Sequence, residues 1–86
     1  MPHFSRFRGY VIYMYFREHP PPHFHVRYPG GEAIINIGTM QITGGQLPPF
    51  IRRSLTDWGA QHRERLLDNW QRVMQHEPLL WIEPPE

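Results

Sequence analysis

Between Tyr10 and Thr43 apolar side chains fall on alternate positions, and beyond Phe50 they recur every third or fourth position. A period of two sends successive side chains to opposite faces of a strand, whereas a period near 3.6 gathers them on one face of a helix. The change of period predicts a sheet over about residues 9–43, a helix over about 49–75 and a tail over 76–86, together a single domain spanning 1–86.

Residues 10–16, Tyr-Val-Ile-Tyr-Met-Tyr-Phe, are β-branched and aromatic and read as a strand. Pro20, Pro21 and Pro22 have no N–H for a ladder and form a loop. Residues 23–28 make a second strand, Pro29-Gly30-Gly31 a turn, residues 32–37 a third strand and Met40–Thr43 a short fourth. A two-residue turn at Gly30-Gly31 would set Val26 against Ile35 and Phe24 against Ile37. A five-residue loop at 18–22 would set Phe16 against Phe24 and Met14 against Val26. A turn at Gly38-Thr39 would set Ile37 against Met40 and Ile35 against Ile42. These turns agree in placing Ile12, Met14, Phe16, Phe24, Val26, Tyr28, Ala33, Ile35, Ile37, Met40 and Ile42 on one face. Tyr13, Tyr15, Arg17, His23, His25, Arg27, Ile34, Asn36, Gln41 and Thr43 then occupy the other.

Gly44-Gly45 ends the sheet, and Pro48-Pro49 suits the first turn of a helix. Its apolar stripe is Ile51, Leu55, Trp58, His62, Leu66, Trp70, Val73 and Met74, with His62 read as a hydrogen-bonded core residue. Gly59 marks a bend or a close contact with the sheet, and Glu77-Pro78 stops the helix. Leu79-Leu80-Trp81-Ile82 is too apolar to hang free and is expected to dock. The predicted fold is α+β: a four-stranded antiparallel meander with one long C-terminal helix on its apolar face and a short docked tail.

Composition narrows the chemistry. There is no cysteine, which excludes disulfides and thiolate metal sites. No apolar run approaches the ~18 residues of a membrane span, and the first eight residues lack the apolar stretch of a signal peptide, so a cytoplasmic location is expected. All nine basic residues are arginine. Guanidinium forks suit phosphates and stacked bases, although a GC-rich genome gives the same composition. Residues 1–31 hold four arginines against Glu18, while residues 32–86 hold five against seven acids, so the positive charge lies in the sheet part.

The segment His19-Pro20-Pro21-Pro22-His23-Phe24-His25 is the place where chemistry concentrates. His23 and His25 are spaced i, i+2 and point to one face of a strand, their Cα atoms roughly 6.8 Å apart. Such a pair can chelate a divalent metal, with His19 as a third imidazole. A carboxylate is harder to place: Glu32 shares the face but sits near the far end of the hairpin, and Glu18 has the wrong parity. The same histidines beside Arg17 and Tyr15 also hold the ingredients of metal-free acid–base cleavage of RNA. Without catalysis, Tyr13, Tyr15, Arg17, His19, His23, His25, Arg27 and Asn36 form a face suited to single-stranded RNA or DNA, a partner protein or a second copy of the chain. The histidines also suit a purely local task, holding the proline loop by hydrogen bonds.

Ser5-Arg6-Phe7, Gly9, Val11-Ile12, Met14-Tyr15-Phe16, His19 and Pro21-Pro22-His23-Phe24-His25-Val26 resemble the bacterial family catalogued as domain of unknown function 4160. Leu47-Pro48-Pro49, Trp58, His62-Arg63, Leu66-Leu67, Asn69-Trp70 and Glu77-Pro78-Leu79 extend the resemblance. It implies a small stand-alone bacterial protein, often encoded beside another small domain, and so a component of a toxin–antitoxin-like or regulatory two-gene module with a partner protein encoded nearby. It supplies no reaction and no catalytic residue. Asn36 and Gly38 stand where relatives often carry acids.

Overall fold

The computed structural model describes residues 2–86, and its sheet is organised by its turns. Arg8 and Gly9 both have positive φ, 50° and 84°, and join β1 (His3–Phe7) to β2 (Tyr10–Tyr13). Two consecutive left-handed residues match the twist of a tight hairpin. β3 (His23–Tyr28) and β4 (Gly31–Asn36) are joined by Pro29-Gly30, with Gly30 at φ 90°. Proline fixes the first central position and glycine supplies the positive φ at the second, as a type II turn requires. β5 (Ile42–Gly45) completes an antiparallel sheet in the order β1-β2-β3-β4-β5.

The sheet therefore has five strands rather than four and begins at His3 rather than residue 9. β1 escapes a period-two reading because its register shifts between His3 and Ser5, which leaves Phe4, Ser5 and Phe7 all buried. The turns also differ from expectation. Gly31 belongs to β4, so Phe24 faces Ile35 and Val26 faces Ala33. On the other side of β3, Ile12 faces Val26 and Tyr13 faces His25, so residues 14–22 form a longer loop than the 18–22 expected. Both registers are displaced by two residues. An even displacement preserves the faces, and Ile12, Met14, Phe24, Val26, Ala33, Ile35 and Ile37 are all fully buried. Ile35 faces Ile42 as expected, after which an irregularity slides Ile34 to Gly44. At Gly45, with φ 72°, a Cβ would lie 1.9 Å from the Glu32 carbonyl oxygen, so the close approach of β5 to β4 admits only glycine.

Phe16 departs from the apolar face: with β2 ending at Tyr13 it lies in the loop, exposed, its ring stacked 5.3 Å from that of His76.

The long helix is two helices, α1 (Pro49–Gln61) and α2 (Arg63–Met74), separated by His62 at φ −113°, ψ 24°. The stripe runs through the break because the His62 N–H still reaches the Trp58 carbonyl at 3.0 Å and the Leu66 N–H reaches that of His62 at 2.9 Å. Arg63 Nε donates to the Ile37 carbonyl at 3.0 Å, tying the start of α2 to the end of the sheet. His62 is half-buried against Trp58. Gly59 makes a close contact, since a Cβ there would meet Met40 Sδ at 2.5 Å. α2 ends with His76 at φ 59° and the N–H groups of His76 and Glu77 bonded back to Val73 and Arg72, a left-handed cap that closes the last turn.

Ile51, Leu55, Trp58, Leu66, Trp70 and Val73 join the sheet's apolar face, Phe4, Phe7 and Ile82 in one core. The tail docks, as its apolar character predicts. Ile82 donates its N–H to the Phe4 carbonyl at 3.0 Å and accepts from Ser5 Oγ at 2.7 Å, covering the β1 edge. Buried Asn69 holds Leu80 by both its N–H and its carbonyl, each at 2.9 Å.

Candidate functional site

Tyr13, His25, Ile34 and Gly44 form one cross-strand row, with His23 opposite Asn36 and Arg27 opposite Glu32 in the neighbouring rows. The two-residue register displacement moves Glu32 from the far end of the hairpin to a position diagonal to His25 on the same face. Long side chains reach across such a diagonal, and Glu32 Oε1 lies 3.0 Å from His25 Nδ1. Its other oxygen accepts from the Tyr13 hydroxyl at 2.5 Å. Glu18 is in the loop rather than in β2, so strand parity does not govern it, and it folds back over the histidines. One oxygen contacts His25 Nε2, and the other lies 3.4 Å from His23 Nε2. Both carboxylates that the sequence pattern sets aside thus belong to the site.

His25 is 5% exposed, and its ring is packed on several sides: Tyr13 stacks on it at 5.1 Å, Tyr15 meets it edge-on at 4.8 Å and His23 lies at 5.2 Å. His23 is half-buried. Its Nδ1 faces the Pro21 carbonyl at 2.8 Å, and its ring approaches Trp70 of α2 at 5.1 Å, a neighbour that face assignment alone does not reveal. The cluster sits where the proline loop, the start of β3 and α2 meet, so the helices approach one edge of a face expected to be uncovered.

The remaining predicted residues divide. Tyr13 is fully buried, with the Arg27 guanidinium over its ring at 5.1 Å, and it is a structural neighbour of His25 rather than a surface for stacking ligands. Tyr15, Arg17, His19 and Arg27 are exposed around the cluster. His19 does not join His23 and His25; among the described residues the group able to converge on one ion is Glu18, His23 and His25, whose ligand atoms lie within 4.8 Å of one another. Asn36 turns away to cap its own loop, its Oδ1 accepting from the Thr39 N–H at 3.0 Å.

The short bond from Tyr13 holds the Glu32 carboxyl below its usual range, helped by His25 and Arg27 and opposed by burial. Burial pushes the Tyr13 phenol far above its ordinary value, and the bond to the Glu32 carboxylate pushes it the same way. Glu32 is therefore an anion and Tyr13 a neutral donor across the ordinary pH range. An open cleft of about 480 Å³ lies between α1 and the tail, lined by Ser54, Asp57, Trp58, Gln61 and His62, and it contains none of the cluster residues.

The family described as domain of unknown function (DUF4160) matches residues 9–71, from the β1–β2 turn to α2 and including the whole cluster. The chain belongs to this family. β1 and the docked tail lie outside the matched segment. No curated protein and no solved structure matches the chain. No helix among the described residues is long and apolar enough to cross a membrane.

Proposed function

We propose that the chain is a small hydrolase acting on phosphodiesters, with single-stranded RNA as the natural substrate class and Glu18, His23 and His25 at its centre. The observation that carries this reading is the wiring of His25, whose Nδ1 is held by Glu32 while its Nε2 meets Glu18, beside a second imidazole on the same carboxylate. An imidazole held by a carboxylate at each nitrogen, beside a second, half-buried imidazole, gathers the proton-moving groups that acid–base chemistry needs. One group of the cluster takes the proton of the attacking water or hydroxyl, and another returns a proton to the leaving oxygen. Exposed Arg17 and Arg27, in the positively charged part of the chain, favour a phosphate-bearing substrate. Such an enzyme suits one component of a cytoplasmic bacterial two-gene module, the second component being the partner that restrains it.

The test is turnover of single-stranded RNA and of bis(p-nitrophenyl) phosphate by the full chain, compared with His23→Ala, His25→Asn and Glu18→Gln. The expected result is a loss of at least ~100-fold in each variant, the scale of a removed acid–base group. Equal rates in all four proteins would sink the proposal. Exposed Tyr15 and Arg27 favour a second reading, binding of RNA without cleavage. Salt-sensitive RNA retention with no turnover is its signature.

A further inference from the structure

We propose that Glu18, His23 and His25 bind one first-row divalent transition-metal ion, through a Glu18 carboxylate oxygen and the Nε2 atoms of the two histidines. The nitrogens on the other side of each ring fix where the ring hydrogens lie. The Pro21 carbonyl can only accept, so His23 Nδ1 at 2.8 Å carries the hydrogen. The Glu32 carboxyl accepts the Tyr13 hydroxyl on one oxygen and faces His25 Nδ1 with the other at 3.0 Å, so His25 Nδ1 is the donor there and carries the hydrogen too. In a neutral imidazole with hydrogen on Nδ1, Nε2 is a bare lone pair. Both Nε2 atoms nevertheless point at the oxygens of one carboxylate, His23 at 3.4 Å and His25 in direct contact. Acceptors that converge on acceptors need a positive charge among them. A proton serves one pair, whereas a dication serves all three atoms.

The surroundings fit that ion. Histidines that hold metals typically donate their second N–H to a carboxylate or a backbone carbonyl, which orients the ring and raises its basicity. Here one ring has each kind of partner. Metal–ligand distances of about 2.0–2.2 Å place neighbouring ligand atoms of a tetrahedral ion roughly 3.4 Å apart. The 3.4 Å between His23 Nε2 and Glu18 matches that spacing, whereas Glu18 and His25 Nε2 are in direct contact and must part to admit an ion. Two imidazoles and one carboxylate favour zinc, nickel, cobalt, iron or manganese over magnesium and calcium, which prefer all-oxygen shells. Three protein ligands leave a position for water, and with both Nε2 atoms on the ion it is that water, rather than a free imidazole, that would supply the nucleophile. The inference thereby deepens the hydrolytic reading, on which only that last role rests; metal uptake itself needs no substrate.

Calorimetric titration of chelator-stripped full-length protein with Zn²⁺ and Ni²⁺, with Mg²⁺ as the contrast, tests the site. The expected result is one transition-metal ion per chain at micromolar affinity or tighter, and no comparable uptake of Mg²⁺. Glu18→Gln and His23→Ala should each weaken binding at least 100-fold, and Glu32→Gln about 10–100-fold through the orientation of His25. His19→Ala and His62→Ala should bind like the parent. Because His25 is buried, its role is read in the intact protein: the Nε2 resonances of His23 and His25 should shift on Zn²⁺ addition while those of His19 and His62 stay put. Affinity no tighter than millimolar, binding that survives Glu18→Gln and His23→Ala, or binding lost in His19→Ala overturns the proposal. Metal uptake without turnover keeps this site and sinks the hydrolase, while turnover that persists in chelator without metal uptake does the reverse.

Discussion

Replacing Glu32 by glutamine changes charge at nearly constant shape, and Glu32 is the residue that links the buried Tyr13 to the histidine cluster. Its carboxylate accepts from Tyr13 at 2.5 Å and from His25 at 3.0 Å. Hydrogen bonds to a charged group are worth about 1.5–3 kcal/mol and neutral ones about 0.5–1.5 kcal/mol; the glutamine amide accepts through one oxygen only, so in Glu32→Gln one bond weakens by about 1 kcal/mol and the other loses its acceptor. The Glu32 side chain is 38% exposed, and solvent screening reduces the sum. The expected loss at neutral pH is ~1–3 kcal/mol, an appreciable part of the roughly 4–13 kcal/mol typical of a chain this length. Its pH dependence identifies the cause. In the unfolded chain Glu32 takes up a proton near its ordinary 4.5, whereas in the folded protein it resists to lower pH. The stabilisation is therefore complete above about 4.5 and lost as pH falls through the depressed folded value. Urea unfolding followed by tryptophan fluorescence over a pH series should show a gap between parent and variant at neutrality that closes in acid; the other carboxylates titrate in both proteins and cancel in the difference. A gap of constant size, or a more stable variant at neutral pH, would refute the role given to Glu32.

Tyr13→Phe should cost ~1–2 kcal/mol at neutral pH. Because the folded phenol resists ionisation while the unfolded one ionises near 10.0, parent stability should fall as pH rises past that value, and the variant should lack this component; urea midpoints at alkaline pH measure it. Asn69→Ala strips both polar partners from Leu80 and should cost ~2–4 kcal/mol, while Ile82→Ala removes a fully buried side chain for ~2–5 kcal/mol. In both variants, hydrogen exchange at Ile82 should accelerate before exchange in β3 and β4, and thermal melts that match the parent would remove the tail from the fold's stabilising contacts. Gly45→Ala combines positive φ with a backbone collision and should cost at least ~3 kcal/mol by chemical denaturation; a cost below ~1 kcal/mol would mean that β5 can leave Glu32 without penalty.

The apolar half of the fold is legible because burial writes a simple period. Seven sheet positions assigned to the core by alternation are fully buried, and the helical stripe from Ile51 to Val73 holds across the break at His62. What the period hides is local. Phe4 and Phe7, three apart with the shift of register at Phe4, break the period of two that marks a strand. The break at His62 leaves the three- and four-residue spacing intact, because the hydrogen bonds to Trp58 and from Leu66 persist on either side of it.

The site is harder to read than the core for a related reason. Hydrophobic alternation reports which face a side chain occupies but not which residue stands opposite, and a displacement of two residues is invisible to it. Pro29-Gly30 carries the missing information: proline followed by glycine fits the central positions of a type II turn, which puts Gly31 in the strand and pairs Arg27 with Glu32. From that pairing, Glu32 falls diagonal to His25, and Tyr13 opposite His25 can reach the same carboxylate. No comparable rule recovers Glu18, whose place depends on the path of residues 14–22. That residue is also the one on which both histidine Nε2 atoms converge. The chemistry of the cluster therefore rests on two carboxylates of different standing: one fixed by the ladder and turn and orienting His25 from behind, the other carried on the loop of residues 14–22, outside any ladder.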